Sequence, residues 1–218
     1  MKKHLSISLA SILALSAPGI AKAQLYVTAE IGGVPSVSGA TLETFDEPSP
    51  SILTLSGPAY VLTGTDGYAS APYFSGSTAA YFGESPTIGN DATPYVAVEP
   101  GGSATLSFST PQYYFGILWG SVDQDGMNTL TLYDSANNVI GSVDGGDINS
   151  LLGGWPFSTG TAYVNITSTT AISSVVANTS GLPFEFDDVA YAPVPEPASL
   201  SLLAFGMFGI TLLRRHRG

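Results

Sequence analysis

The stretch ATLSFSTPQYYFGILWGSVDQDGMNTLTLY, Ala104 to Tyr133, decides the fold class. Leu106 and Phe108 alternate with Thr105 and Ser107, the period of a strand with one apolar face. Tyr113 to Val122 continues as an apolar strand, Asp123-Gln124-Asp125-Gly126 supplies a turn, and Leu130 and Leu132 alternate again within Thr129 to Tyr133.

The same grammar extends outward. Tyr95 to Val98 precedes Pro100-Gly101-Gly102, a hairpin signal leading into Ala104 to Phe108. Beyond Tyr133 come a turn around Asn137-Asn138 and strands at Val139 to Val143, Ala162 to Thr167, Ile172 to Ala177 and Phe184 to Ala192. Upstream, Leu42 to Asp46, Ile52 to Leu55 and Ala59 to Leu62 are fainter strand candidates. No helical period is sustained over three turns, and strands recur about every ten residues. The expectation is an all-β domain over residues 24–192, a two-sheet jelly-roll or lectin-like sandwich, with Thr65 to Asp91 in long loops.

Charge placement bounds the function. The basic residues are Lys2, Lys3, Lys22, Arg214, Arg215 and Arg217, and the histidines are His4 and His216. Gln24 to Ala192 therefore holds sixteen of the seventeen acidic residues and no Lys, Arg or His, in a chain without cysteine. Such a domain repels nucleic acid and anionic headgroups and attracts cations. It has no means to build a Ser-His-Asp triad, a cysteine nucleophile, a Schiff base or an ordinary zinc site. Paired-carboxylate chemistry such as glycoside hydrolysis survives, but no spacing singles out a pair. The expectation is no enzyme.

The two ends carry processing signals. Lys2 and Lys3 precede the apolar run Leu5 to Ala17, and Ala21-Lys22-Ala23 has the small-x-small form of a signal-peptidase site, so residues 1–23 are expected to be a signal peptide. At the other end, Ala198 to Leu213 is uncharged, and at about 1.5 Å per residue would make roughly 24 Å of helix. That is marginal against a hydrocarbon core of about 30 Å. Arg214, Arg215 and Arg217 follow as a basic tail (214–217) that holds to the cytoplasmic side.

Val194-Pro195-Glu196-Pro197-Ala198, the short helix and the basic cluster together resemble the PEP-CTERM sorting signal, over residues 193–218. The resemblance implies that Pro195, Glu196 and Pro197 are recognised by exosortase, a membrane protease-transpeptidase of Gram-negative bacteria. It further implies transient anchoring in the inner membrane, release to the cell surface or matrix, and association with extracellular polysaccharide and biofilm.

A second likeness rests on Phe115 to Asp123, Asn128 to Asp134 and Phe184 to Tyr191. These stretches resemble exosortase-dependent surface proteins with a lectin-like β-sandwich. That family supplies a fold more than a function.

Two binding sets follow. Calcium takes oxygen ligands from Asp, Glu, Asn and main-chain carbonyls, and Glu43 and Asp46 near the first strands are expected to meet Asp187 and Asp188 in the last, with Phe186 inward and Asp187 outward. The alternative is that these are solvated edge charges. Sugar rings stack on aromatic faces, for which Trp155, Tyr113 and Tyr114 are candidates, whereas Trp119 belongs in the core. The functional expectation is a secreted, exosortase-processed, non-enzymatic glycan-associated module. The alternatives are a structural coat or matrix protein and a carboxylate glycosidase.

Overall fold

The computed structural model describes residues 23–31, 35–47, 50–65, 69–72, 92–123, 126–153 and 160–193. Residues 1–22 of the expected signal peptide, including Ala21, most of the Thr65 to Asp91 loop, Gln124, Asp125, Trp155 and the sorting region from Val194 onward lie outside them.

The fold is all-β. Its strands are β1 (Leu25–Ile31), β2 (Thr41–Glu43), β3 (Leu53–Ser56), β4 (Ala59–Thr63), β5 (Pro94–Val98), β6 (Ser103–Gly120), β7 (Asn128–Tyr133), β8 (Val139–Asp144), β9 (Ala162–Thr179) and β10 (Phe184–Ala192). One short helix, α1 (Gly145–Leu151), follows β8.

Two long strands organise the rest. β6 and β9 each run for 18 residues and pair antiparallel along both halves, with the register broken between Ser107 and Tyr114. Pro111, which has no N–H to donate, sits in that break, where strands bulge and bend. Sequence periodicity splits each strand in two, at Phe108/Tyr113 and Thr167/Ile172. The pairing joins the halves across the bend.

Hydrogen bonding thereby unites the ten strands among the described residues in one ladder, ordered β4-β5-β10-β6-β9-β7-β8, with β1 on β9, β2 on β10 and β3 on β6. On one side of the bend, the first half of β6 lies between β3 and the second half of β9, which also pairs β7. On the other, the second half of β6 lies between β10 and the first half of β9, which also pairs β1. Leu106, Leu130, Leu132 and Val175 from the first side share one core with Phe115, Ile117, Trp119, Val164, Phe184 and Phe186 from the second. The sheet is therefore folded over on itself.

The Pro100-Gly101-Gly102 turn forms, with Gly102 N–H donating to Glu99 O at 2.8 Å, but it closes no hairpin. β5 pairs β4 and β10, while β6 pairs β3 and β9. The turn carries the chain across the fold, as does Gly57-Pro58 between β3 and β4, and the two corners stack. Glu99 N–H donates to Pro58 O at 2.8 Å, and a Cβ on Gly102 would collide with that same oxygen. Nor is the link after β6 a hairpin, because β9 stands between β6 and β7. The turn at Asn137 does close a hairpin, with Asn137 left-handed at φ 60° and Asp134 N–H donating to Asn138 O.

β1 and α1 are the elements the sequence did not announce. β1 alternates faithfully: Leu25, Val27 and Ala29 pack on the core, and Tyr26, Thr28 and Glu30 face out. α1 has a reciprocal capping box, in which Asp144 Oδ1 accepts from Asp147 N–H at 3.0 Å and Asp147 Oδ2 from Asp144 N–H at 3.1 Å. Ile148 anchors it to the core.

Candidate functional site

β10 alternates across the sheet: Phe184 and Phe186 enter the core, and Glu185 and Asp187 point to the opposite face. That outward direction agrees with the sequence, but solvent exposure does not follow. Both carboxylates are 1 % exposed, because loop segments cover this face. Val37 and Ala40 pack on Tyr114, Leu118, Tyr163, Ala190 and Ala192. Ala69 and Ala71 pack on Tyr95 and Ala97.

Glu185 is held by the cover itself. Ser70 N–H donates to its Oε1 at 3.1 Å, and the Ser121 side chain also hydrogen-bonds it. Burial pushes its pKa up to about 7, and the Asp123 charge adds to the shift. Asp123, 3 % exposed, is likewise raised by burial to about 6, against the opposing effect of Asn128. Asn128 Nδ2 donates to Asp123 Oδ2 at 2.9 Å, and Asn149 Nδ2 on α1 donates to Asp123 O at 3.1 Å. Ser121, between β6 and Asp123, is left-handed at φ 46°. For a residue with a Cβ that conformation costs energy, and such residues gather at functional sites.

The four carboxylates expected to bind calcium do not gather. β2 does pair β10, setting Glu43 opposite Val189, so the first-to-last-strand junction exists. Glu43 Oε1, however, accepts from Phe45 N–H at 3.0 Å, and the exposed Asp46 accepts from Thr44 Oγ1 at 2.7 Å. Asp187 Oδ1 accepts from Asp188 N–H at 2.7 Å, at a bulge where Asp188 is left-handed at φ 46°. Among the described residues, no three Asp, Glu, His or Cys side chains form a metal-holding group. The side chains of the junction are spent on local turns instead.

The stacking set changes too. Tyr114 is 3 % exposed under the 35–40 loop, where its hydroxyl donates to Asn165 Oδ1 at 2.6 Å and accepts from Ser36 N–H at 3.1 Å. Its ring has no free face for a sugar, and burial raises its pKa. Tyr113 is half-buried on the neighbouring position. Trp119 is fully buried, with its ring centroid 4.4 Å from that of Phe184. Trp155, the sorting residues Pro195, Glu196, Pro197, Arg214, Arg215 and Arg217, and the span 198–213 fall outside the described residues. Ala23 is an exposed residue preceding β1.

Sequence periodicity missed one open feature. A cleft of about 510 Å³ lies between β1, β8 and α1, lined by Leu25, Val27, Ser142, Val143, Asp147, Ser150 and Leu151. Its apolar floor, two hydroxyls and lone carboxylate offer neither nucleophile-base pair nor cationic group. It escaped detection because two of its three walls are β1 and α1.

Among the described residues no helix is long and apolar enough to cross a membrane. No curated protein matches the chain. β10 leads at Ala192 directly into residues 193–217, which match the family model of the PEP-CTERM protein-sorting motif, so the chain carries that motif and the motif supports an exported protein targeted to exosortase.

Proposed function

We propose that this is an exosortase-processed protein of the cell surface or extracellular matrix, whose folded-over sheet is a lectin-like jelly roll associated with exopolysaccharide and performing no catalysis. The observation that carries the reading is the junction at Ala192: the sorting motif starts one residue beyond a strand paired on both sides, to β6 and to β2 and β5. A cut within the motif leaves every described strand whole. Signal peptidase acts at the other end, and the inner membrane of a Gram-negative cell is a way station.

The absence of bases from Gln24 to Ala192 argues for a neutral glycan rather than an anionic one. The cleft between β1, β8 and α1 is the place we assign to it, on the strength of its apolar floor and the Ser142 and Ser150 hydroxyls. Deleting residues 193–218 and fractionating the host tests the sorting half. The deletion is expected to abolish surface display, and unchanged display would refute it. Isothermal titration against neutral exopolysaccharide fragments tests the glycan half, with Ser150→Trp in the cleft as the blocked control. Binding that ignores the substitution would move the site elsewhere, and no binding would leave a purely structural coat protein as the better description.

A further inference from the structure

The segment Ser121 to Asp123 hydrogen-bonds three buried side chains, Glu185, Asn128 and Asn149, each of which keeps an oxygen left over. Glu185 is 1 % exposed, and its Oε2 has no hydrogen-bond partner among the described residues. Asn128, fully buried, and Asn149, 7 % exposed, likewise present side-chain oxygens with no partner among the described residues. Their amide orientation is fixed by chemistry. Asn128 Nδ2 faces Asp123 Oδ2, Pro183 O at 3.3 Å and Ser121 O at 3.5 Å, and Asn149 Nδ2 faces Asp123 O. All are pure acceptors, so turning either amide would set oxygen against oxygen. The carbonyl oxygens are therefore the atoms left over.

Each such orphan is destabilising, and a buried carboxylate normally finds a positive partner. Gln24 to Ala192 contains no Lys, Arg or His to serve. Water would satisfy the hydrogen bonds but leave the charge, and a proton would remove the charge but leave the amide oxygens unpaired. A cation does both. The donor set is entirely oxygen, two carboxylates and two amide carbonyls tied to one strained turn, which suits a hard ion of flexible coordination and excludes soft metals.

We propose that Glu185, Asp123, Asn128 and Asn149 hold one calcium ion, which locks the Ser70 loop and α1 to the end of β6. The lock follows from what the ligands touch: Glu185 carries Ser70, Asn149 belongs to α1, and Asp123 lies in the segment that follows β6. This site is separate from the Glu43, Asp46, Asp187 and Asp188 set.

The test uses the full chain in detergent micelles, stripped with EGTA and titrated with calcium chloride by calorimetry, with thermal unfolding in parallel. One saturable site and a raised unfolding midpoint are expected. Glu185→Gln keeps the shape and removes the charge, so it is expected to melt higher than wild type in EGTA yet to lose roughly tenfold or more in calcium affinity. Asn149→Ala, which leaves the charge in place, is expected to weaken binding while still folding. Glu47→Gln, on the surface, reports general screening of an acidic protein and is expected to bind like wild type. Absence of saturable heat, equal midpoints in calcium and EGTA, or a wild-type response from both Glu185→Gln and Asn149→Ala would each overturn the proposal.

Discussion

Glu185 shows how a single residue couples the face of the sheet to pH. Its pKa rises from 4.5 to about 7 on folding, chiefly through burial. The native state therefore binds more protons than the unfolded chain between those values, and stability falls as pH rises through that window. Asp123 adds a second window, from 3.8 to about 6. In EGTA the unfolding midpoint is expected to drop between about pH 5 and pH 8, by an amount that reaches about 3 kcal/mol for Glu185 alone. Glu185→Gln should flatten the upper part of that profile, as thermal melts across the range would show. Gly116 offers a steric counterpart. A Cβ there would lie 2.5 Å from the Tyr114 hydroxyl and 2.9 Å from Tyr163, so Gly116→Ala should cost roughly 1–3 kcal/mol, measurable by denaturant unfolding.

At the scale of elements, the corner between β5 and β6 is the most exacting. Gly102 backs onto the main chain of Pro58, which has no soft side chain to yield. Gly102→Ala is expected to destabilise the fold by roughly 1–3 kcal/mol, whereas Asp144→Ala, which removes the α1 cap, should cost about 1 kcal/mol. Chemical denaturation of the two variants side by side would rank them. The contrast with the sequence lies here. β10 was legible as a strand because Phe184, Glu185 and Phe186 alternate and Val189 to Ala192 continues largely apolar, but the bulge at Asp188 between them did not show. The turn at Pro100-Gly101-Gly102 was equally legible, but not its topology, because a glycine turn looks the same whether its strands pair or part. β1 stayed hidden beside the expected signal peptide, and α1 at seven residues is too short to show a helical period. The buried site was missed for a related reason. Exposed and covered carboxylates look alike in sequence, and only the loops that pack over Glu185 distinguish its burial from the exposure of Asp46.

The whole molecule is an acidic domain delivered by a sorting motif. With every base outside Gln24 to Ala192, removal of both ends leaves side chains of one sign. Such a domain is expected to pass an immobilised DNA column unretained even at low salt, where basic proteins bind tightly. The motif supports export and exosortase targeting, and β10 ends at Ala192, immediately before the matched residues, where the proposed reading puts the processing. That claim is tested most directly by mass spectrometry of the protein recovered from its host. The account predicts a chain that begins at Gln24 and ends within or next to Pro195 to Pro197, without the segment 198–218. Recovery of the intact chain from Met1 to Gly218 as the surface form would contradict it.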